Sequence, residues 1–329
     1  MTEYINNSVQ PAATESIFPY DFSIIIPCFN EEASIREFHE RLTSVLEKMN
    51  CRFEIVYVND GSTDGTLASL RDIHTEQQLP ICVLDLAQNV GQTNAMTAGF
   101  QYASGKHIIF LDCDLQVAPE DIRLLIDIFD DSYDMVSGVR VQRKDNLLRV
   151  YLSRMGNAFI RRVLGLPLYD FGSGMKILNG MFIRAFEPGP FRPINPGVIM
   201  LSLRHIREVP IKHQARESGH TRWTPRRFFT LYHNIFTHLV PFIYPFTVVP
   251  MLIVSLLLWA YFLLAVLYPD TVPYAERPAV VPMLVMFNIA LSFVVFLLLG
   301  EFVLRGGGHA QEPAYIVRYV LPARNSPEI

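Results

Sequence analysis

The stretch Phe22–Glu32, FSIIIPCFNEE, decides the fold. Its first six residues, FSIIIP, form an apolar run rich in β-branched side chains, which predicts a buried strand. Asn30 follows as a good N-cap, and Glu31 and Glu32 fall in the positive first turn of the helix it would open. The same grammar recurs along the chain. Phe53–Val58 is a second strand, closed by the turn Asn59-Asp60-Gly61-Ser62 and a short helix. Ile81–Leu86 is a third. Ile108–Leu111 is a fourth, running into Asp112-Cys113-Asp114, and Pro119 pre-sets the first turn of the next helix. Met135–Val139 is a fifth. Repeated strand–helix units of this length predict an α/β domain with a mainly parallel sheet and helices on both faces.

Sheets of this kind bind ligands at the carboxyl ends of their strands. The polar residues gather there: Asn30-Glu31, Asn59-Asp60, Asn89 to Gln92 and Asp112 to Gln116. In FLDCDLQ the strand period of two would aim Asp112, Asp114 and Gln116 to one side. Carboxylate and amide oxygens so grouped are hard ligands for Mg²⁺ or Mn²⁺, ions that bridge to substrate phosphates. A lone DxD carries little weight, since two carboxylates can simply cap or face solvent. Four polar strand ends together make a candidate site.

Of the 329 residues, 18% are charged and half are hydrophobic, and the deficit of charge is local. Leu239–Tyr268 has no charged residue, and neither has Ala279–Gly300. A helix needs ~20 apolar residues to cross a bilayer, so each run is long enough, and neither alternates with a polar face as a buried core helix would. Arg222, Arg226 and Arg227 precede the first run, and Arg305, Arg318 and Arg324 follow the second. By the bias of Lys and Arg, both ends are expected to be cytoplasmic. Residues 224–238 read as a juxtamembrane amphipathic helix, 239–268 and 279–304 as two transmembrane helices, and 305–329 as a cytoplasmic tail. Residues 1–20 read as a flexible tail without a signal peptide. The net charge of −4 argues against nucleic acid as a partner. Cys28, Cys51, Cys82 and Cys113 lack zinc spacing and read as buried free thiols.

These motifs, taken as a set, resemble the inverting nucleotide-sugar glycosyltransferases of family 2 with the GT-A fold. IIIPCFNEE is similar to that family's opening strand and turn, VNDGSTDGT to its DDGS(x)DGT segment, and FLDCDLQVAPEDI to its DADLQ-x-PE-x-I segment. NVGQTNAMTAGFQYASGK resembles a narrower branch whose acceptor is a polyprenyl phosphate, which includes dolichyl-phosphate mannose synthases and undecaprenyl-phosphate glucosyl- and formamidoarabinose transferases. The likeness continues through DFGSGMKIL, HQARESGHTRW and the two-helix tail.

The resemblance implies a Rossmann-like GT-A catalytic domain over residues 21–223, on the cytoplasmic face of the cell inner membrane. It implies that Pro27, Phe29, Glu31, Asp60 and Gln92 bind the nucleotide. Asp112, Asp114 and Gln116 would meet metal and diphosphate, and Arg140, Arg216 and Arg222 would lie near the acceptor phosphate. It implies a divalent metal, a nucleotide-sugar donor that is UDP-linked, a polyprenyl phosphate acceptor, and a homo-oligomer up to a tetramer. Two departures stand out. Asn59 replaces the family's first Asp, and Thr221-Arg222-Trp223 replaces Ser-Lys-Tyr; an arginine fork is not equivalent to a lysine at a phosphate site.

Two other readings compete. A processive polysaccharide synthase is suggested by the ending Arg222-Trp223, which is similar to QxxRW. Gly219 holds the Gln position, however, and two spans are too few for a polymer channel. A non-catalytic membrane scaffold would carry broken motifs, yet Asp112, Asp114 and Gln116 are intact.

Overall fold

The structure, a computed structural model, describes residues 18–141, 157–158, 161–162, 168–170, 172–191, 193–194, 199, 202–212, 249–264, 267–268, 280–307 and 313–323. It divides into two units. The first holds an eight-stranded mixed sheet in the order β7-β5-β6-β4-β1-β2-β3-β8. Its elements are β1 (Tyr20–Cys28), α1 (Ile35–Leu46), β2 (Phe53–Asn59), α2 (Thr66–Glu76), β3 (Ile81–Leu86), α3 (Gln92–Gln101) and β4 (Gly105–Phe110). A 3₁₀ turn (Pro119–Asp121) leads into α4 (Ile122–Ile126), and then come β5 (Met135–Val141), β6 (Lys176–Leu178), α5 (Gly180–Arg184), β7 (Ile206–Lys212) and β8 (Val317–Leu321).

β1 pairs in parallel with β2 and β4, β2 with β3, and β5 with β7. β6 runs antiparallel between β4 and β5, and β8 runs antiparallel along β3. The pleat sorts the apolar run of β1: Ile24 and Ile26 pack with α1 residues Phe38 and Leu42, while Ile25 packs on the opposite face with Ala95 and Ala98 of α3. A near-continuous apolar strand covered on both faces is the pattern of a parallel sheet. Each such side chain contributes about 1.5–3 kcal/mol by burial.

Three expectations are corrected. Asn30 caps no helix: it sits at φ 54, and its side chain accepts the Thr63 N–H at 2.8 Å. The helix begins later, with Ser34 as its N-cap, so Glu31 and Glu32 belong to the preceding turn and Glu37 is the acid of the first helical turn. The strand β4 ends at Phe110, so Asp112, Asp114 and Gln116 lie on a loop and not on a strand of period two. The positive φ of Leu115 (56°) lies in that loop. Within residues 305–329, read as a tail, Val317–Leu321 forms β8.

His39 and His107 are buried, and burial is the main cause that holds each down at about 4. Among the described residues His39 Nε2 and His107 Nδ1 have no hydrogen-bond partner, so a proton on either would be buried without an acceptor. The unfolded chain takes up these protons near pH 6.5, the folded chain only near 4, so stability present above 6.5 drains away as pH falls through that window. Melting temperature should therefore fall between pH 6.5 and 4, and replacing either histidine with glutamine should flatten part of the slope.

The second unit contains a helix over 249–264 and another at Val280–Gly307. They are joined by polar contacts inside an apolar pair: Ser255 Oγ donates to Asn288 Oδ1 at 2.6 Å, Asn288 Nδ2 donates to the Ser255 carbonyl at 3.1 Å, and Ser255 and Ser292 hydroxyls lie 3.0 Å apart. Asn288 is 2% exposed, whereas Leu256 is 67%, Met286 72% and Phe296 69% exposed. Taken over the described residues alone, no helix is long and apolar enough to cross a membrane. Side chains at 298–307 and the whole of 269–279 fall outside the described set, as do residues 213–248.

Candidate active site

Four loops at the carboxyl ends of β1, β2, β3 and β4 meet. Asn30 and the turn after β2 interlock first: the Asn30 N–H donates to Ser62 Oγ at 3.0 Å and the Glu31 N–H to Thr66 Oγ1 at 2.8 Å. Glu31 is further placed by the Ser34 hydroxyl, which donates to its carboxylate at 2.9 Å. Pro27 and Phe29 are half-buried on either side of Cys28, and the Pro27 carbonyl lies 3.6 Å from Cys113 Sγ. Pro27, Phe29 and Glu31 of the expected nucleotide-side residues thus lie on one rim, whereas Gln92 reaches the acidic loop after β4.

Asp60 ties this rim to the loop after β3. Its carboxylate accepts the Val90 N–H at 2.7 Å, the Gly91 N–H at 3.0 Å and Asn89 Nδ2 at 3.0 Å. Burial raises its pKa, and the two backbone N–H groups partly counter that. Gly61, at φ 63, lets the turn press against Gln88; a Cβ there would overlap the Gln88 backbone. Asp60 therefore holds the rim together, whatever else it touches.

The acidic centre lies one loop further. Gln92, first residue of α3, donates Nε2 to Asp112 Oδ1 at 2.6 Å. Burial first, then the negative charge of Asp114, push Asp112 up to about 7, while Lys176, Arg140 and the Gln92 bond pull the other way. Asp114 Oδ1 accepts the Gln116 N–H at 3.1 Å, so Gln116 meets the pair through its backbone. Gly174 leaves room for Asp112: a Cβ at 174 would overlap its carboxylate. The chemistry of this donor set fits a hard dication. Two carboxylates crowd each other in a partly dry place, and Mg²⁺ or Mn²⁺ is commonly held by one or two carboxylates, with phosphate and water completing the shell. Among the described residues no group of three or more His, Cys, Asp or Glu assembles.

A basic counterpart stands beside the acids. Arg140, on β5, forms a fork with Asp170: Nε donates to Oδ2 at 2.7 Å and Nη2 to Oδ1 at 2.8 Å. The pair is nearly closed to solvent, at 12% and 6% side-chain exposure. Asp170 is itself placed by its own N–H, which donates to Glu208 Oε1 on β7 at 3.1 Å. Lys176, at the start of β6, donates Nζ to the Ser173 carbonyl, and burial lowers it to about 8 against the attraction of Asp170 and Asp112.

Asp170 and Lys176 were missed as site residues by sequence reasoning. The signal was present in DFGSGMKIL, where a lysine opens a short apolar run, but nothing local says that β6 inserts between β4 and β5. Arg216 and Arg222 lie outside the described residues.

The pattern of the family described as glycosyl transferase family 2 matches residues 23–185. An undecaprenyl-phosphate 4-deoxy-4-formamido-L-arabinose transferase from Pseudomonas savastanoi pv. phaseolicola is 32% identical over 76% of this chain and 73% of its own. The enzyme of the same description from Edwardsiella ictaluri is 32% identical over 65% and 66%. Among solved structures, a glucosyl-3-phosphoglycerate synthase from Mycobacterium tuberculosis, crystallised with Mn²⁺, UDP-glucose and phosphoglyceric acid, aligns over 68% of this chain and 80% of its own. Its TM-score is 0.50 and its sequence identity 20%, a likeness that speaks to the fold alone. With the GT-A sheet, the acidic loop after β4 and these relatives together, the chain belongs to glycosyl transferase family 2 and is a glycosyltransferase.

Proposed function

We propose that the protein transfers a single sugar, with inversion, from a UDP-linked donor to an undecaprenyl-type polyprenyl phosphate at the cytoplasmic face of the inner membrane. The observation that carries this reading is the close pair Asp112 and Asp114 at the end of β4, faced by Lys176 and the Arg140–Asp170 fork. Acids beside bases suit a reaction in which two anionic phosphates must be held close together. The nucleotide side falls to Pro27, Phe29, Glu31, Asp60 and Gln92. Asp112 and Asp114, with Gln116, would hold Mg²⁺ or Mn²⁺, which would supply charge to the diphosphate as it leaves.

No general base is required of the protein. A phosphate monoester has a second pKa near ~6, so the acceptor is largely dianionic at neutral pH. One of its oxygens attacks the anomeric carbon as the bond from that carbon to the donor diphosphate breaks, and UDP departs with the bonding pair. A single in-line step inverts the configuration. Arg140, with Arg216 and Arg222, is assigned to the acceptor phosphate.

The 249–264 and Val280–Gly307 helices are assigned to the bilayer. Their inside-out arrangement supports this, with Ser255 and Asn288 turned inward and leucine, methionine and phenylalanine turned outward. Small and polar residues joining apolar helices are the pattern of helix pairs in lipid. The full chain should remain in the membrane pellet after alkaline carbonate extraction.

The test of the reaction is a donor panel. The purified full-length protein, with Mn²⁺ or Mg²⁺ and undecaprenyl phosphate, should yield a lipid-linked sugar from one UDP-sugar, with UDP-linked 4-deoxy-4-formamido-arabinose first among those tried. No lipid-linked product from any nucleotide-sugar would overturn the assignment.

A further inference from the structure

We propose that Arg318, on the last strand of the sheet, is a positioning residue for the nucleotide-side turn, acting through a buried Asp85–Asn59 pair. The inference rests on the assignment of the 59–62 turn to the donor side.

The chain of contacts is continuous. Arg318 Nη1 donates to Asp85 Oδ2 at 3.3 Å, and its Nη2 donates to the Ala87 carbonyl at 2.7 Å. The other oxygen of Asp85 accepts Asn59 Nδ2 at 2.7 Å. Asn59 Oδ1 in turn accepts the Ser62 N–H at 3.3 Å, and Ser62 Oγ accepts the Asn30 N–H. Asp85 and Asn59 are opposite each other in the β2–β3 register, and both are all but closed to solvent. The guanidinium also grips Ala87, two residues before Asn89, whose side chain binds Asp60. One arginine thus reaches both halves of the turn, Asn59 through Asp85 and Asp60 through the 87–91 loop.

This geometry explains why position 59 carries an amide. Asp85 offers only acceptors, and Arg318 takes one of its two oxygens, so the residue facing the other must donate. An aspartate at 59 would set two carboxylates in contact in a buried place, with a single arginine to offset them. The Ser62 N–H would lose its well-placed partner as the two acids moved apart. Exchanging the two residues, N59D with D85N, removes the conflict. The amide now at position 85 donates to the carboxylate at position 59, and its oxygen accepts from Arg318. The carboxylate at 59 still accepts the Ser62 N–H.

The experiment compares three variants with wild type, each as the full-length protein in detergent, read by calorimetric titration of UDP with Mn²⁺ and by melting temperature. Asn59→Asp should weaken UDP at least tenfold, and Arg318→Ala at least threefold. Asn59→Asp combined with Asp85→Asn should bind within threefold of wild type and melt above Asn59→Asp alone. Arg318→Ala or Asn59→Asp binding UDP as wild type does would overturn the proposal, as would an exchanged pair that melts like wild type yet binds no better than Asn59→Asp. A wild type that takes no UDP overturns the donor assignment itself, and this proposal with it.

Discussion

Asp114→Ala is expected to lower the rate of sugar transfer by about two to three orders of magnitude at saturating donor, the range seen when a group stabilising developing charge is removed. Asp114 is a charge set against Asp112, and its Oδ1 also takes the Gln116 N–H. The two roles separate with Asp114→Asn. The amide oxygen can still accept the Gln116 N–H and keep the loop, but the negative charge is gone. Equal loss in both variants assigns the effect to charge at the metal and diphosphate. An active asparagine variant beside a dead alanine one would assign it to the loop. The measurement is lipid-linked product per enzyme with Mn²⁺ present, and wild-type turnover by Asp114→Ala would remove the carboxylate pair from the site.

Asp170→Ala is expected to cost the protein much of its stability. It leaves Arg140 buried without the carboxylate that meets both Nε and Nη2. Removing one partner of a buried ion pair costs about 3–5 kcal/mol, because the charge that remains has lost both water and its counterion. For a domain of this size that corresponds to a melting temperature lower by roughly 10 °C. Replacing both partners, Arg140→Met with Asp170→Leu, should recover much of the stability and none of the activity. A double variant as unstable as Asp170→Ala would mean that the fork matters for its shape and not for its charge.

How far the fold can be read from sequence depends on whether an element announces itself locally. β1, β2, β3 and β5 do, since each is a run of β-branched and aliphatic residues set deep in the sheet, and Ile81–Leu86 appears with its bounds unchanged. The short β6 has only three residues, and β7, IREVPIK, alternates exposed charge with buried aliphatics around a proline. Their place in the sheet is set by partners far away in sequence. Asn30 misled for a related reason. An asparagine before acids is a good cap by propensity, but here the adjoining β2 turn offers Thr63 and Ser62, and that tertiary contact wins. In the candidate site, Asp112 and Asp114 stood out because their residue types and their place after a strand suit metal and phosphate chemistry directly. Asp170, Lys176, Asp85 and Arg318 gain their contacts from neighbours that only the folded sheet supplies.

The final strand has a consequence for how the enzyme comes into being. β8 follows the helical pair in sequence but completes the edge of the catalytic sheet along β3. Until Val317–Leu321 have emerged from the ribosome, β3 presents an open row of backbone donors and acceptors, a template for unwanted pairing. The sheet therefore cannot be completed until the helical pair that precedes β8 has been made. A chain cut short anywhere within the helical pair would leave that edge of β3 without its partner, so the outer edge of the catalytic sheet is completed only by residues made after the helices.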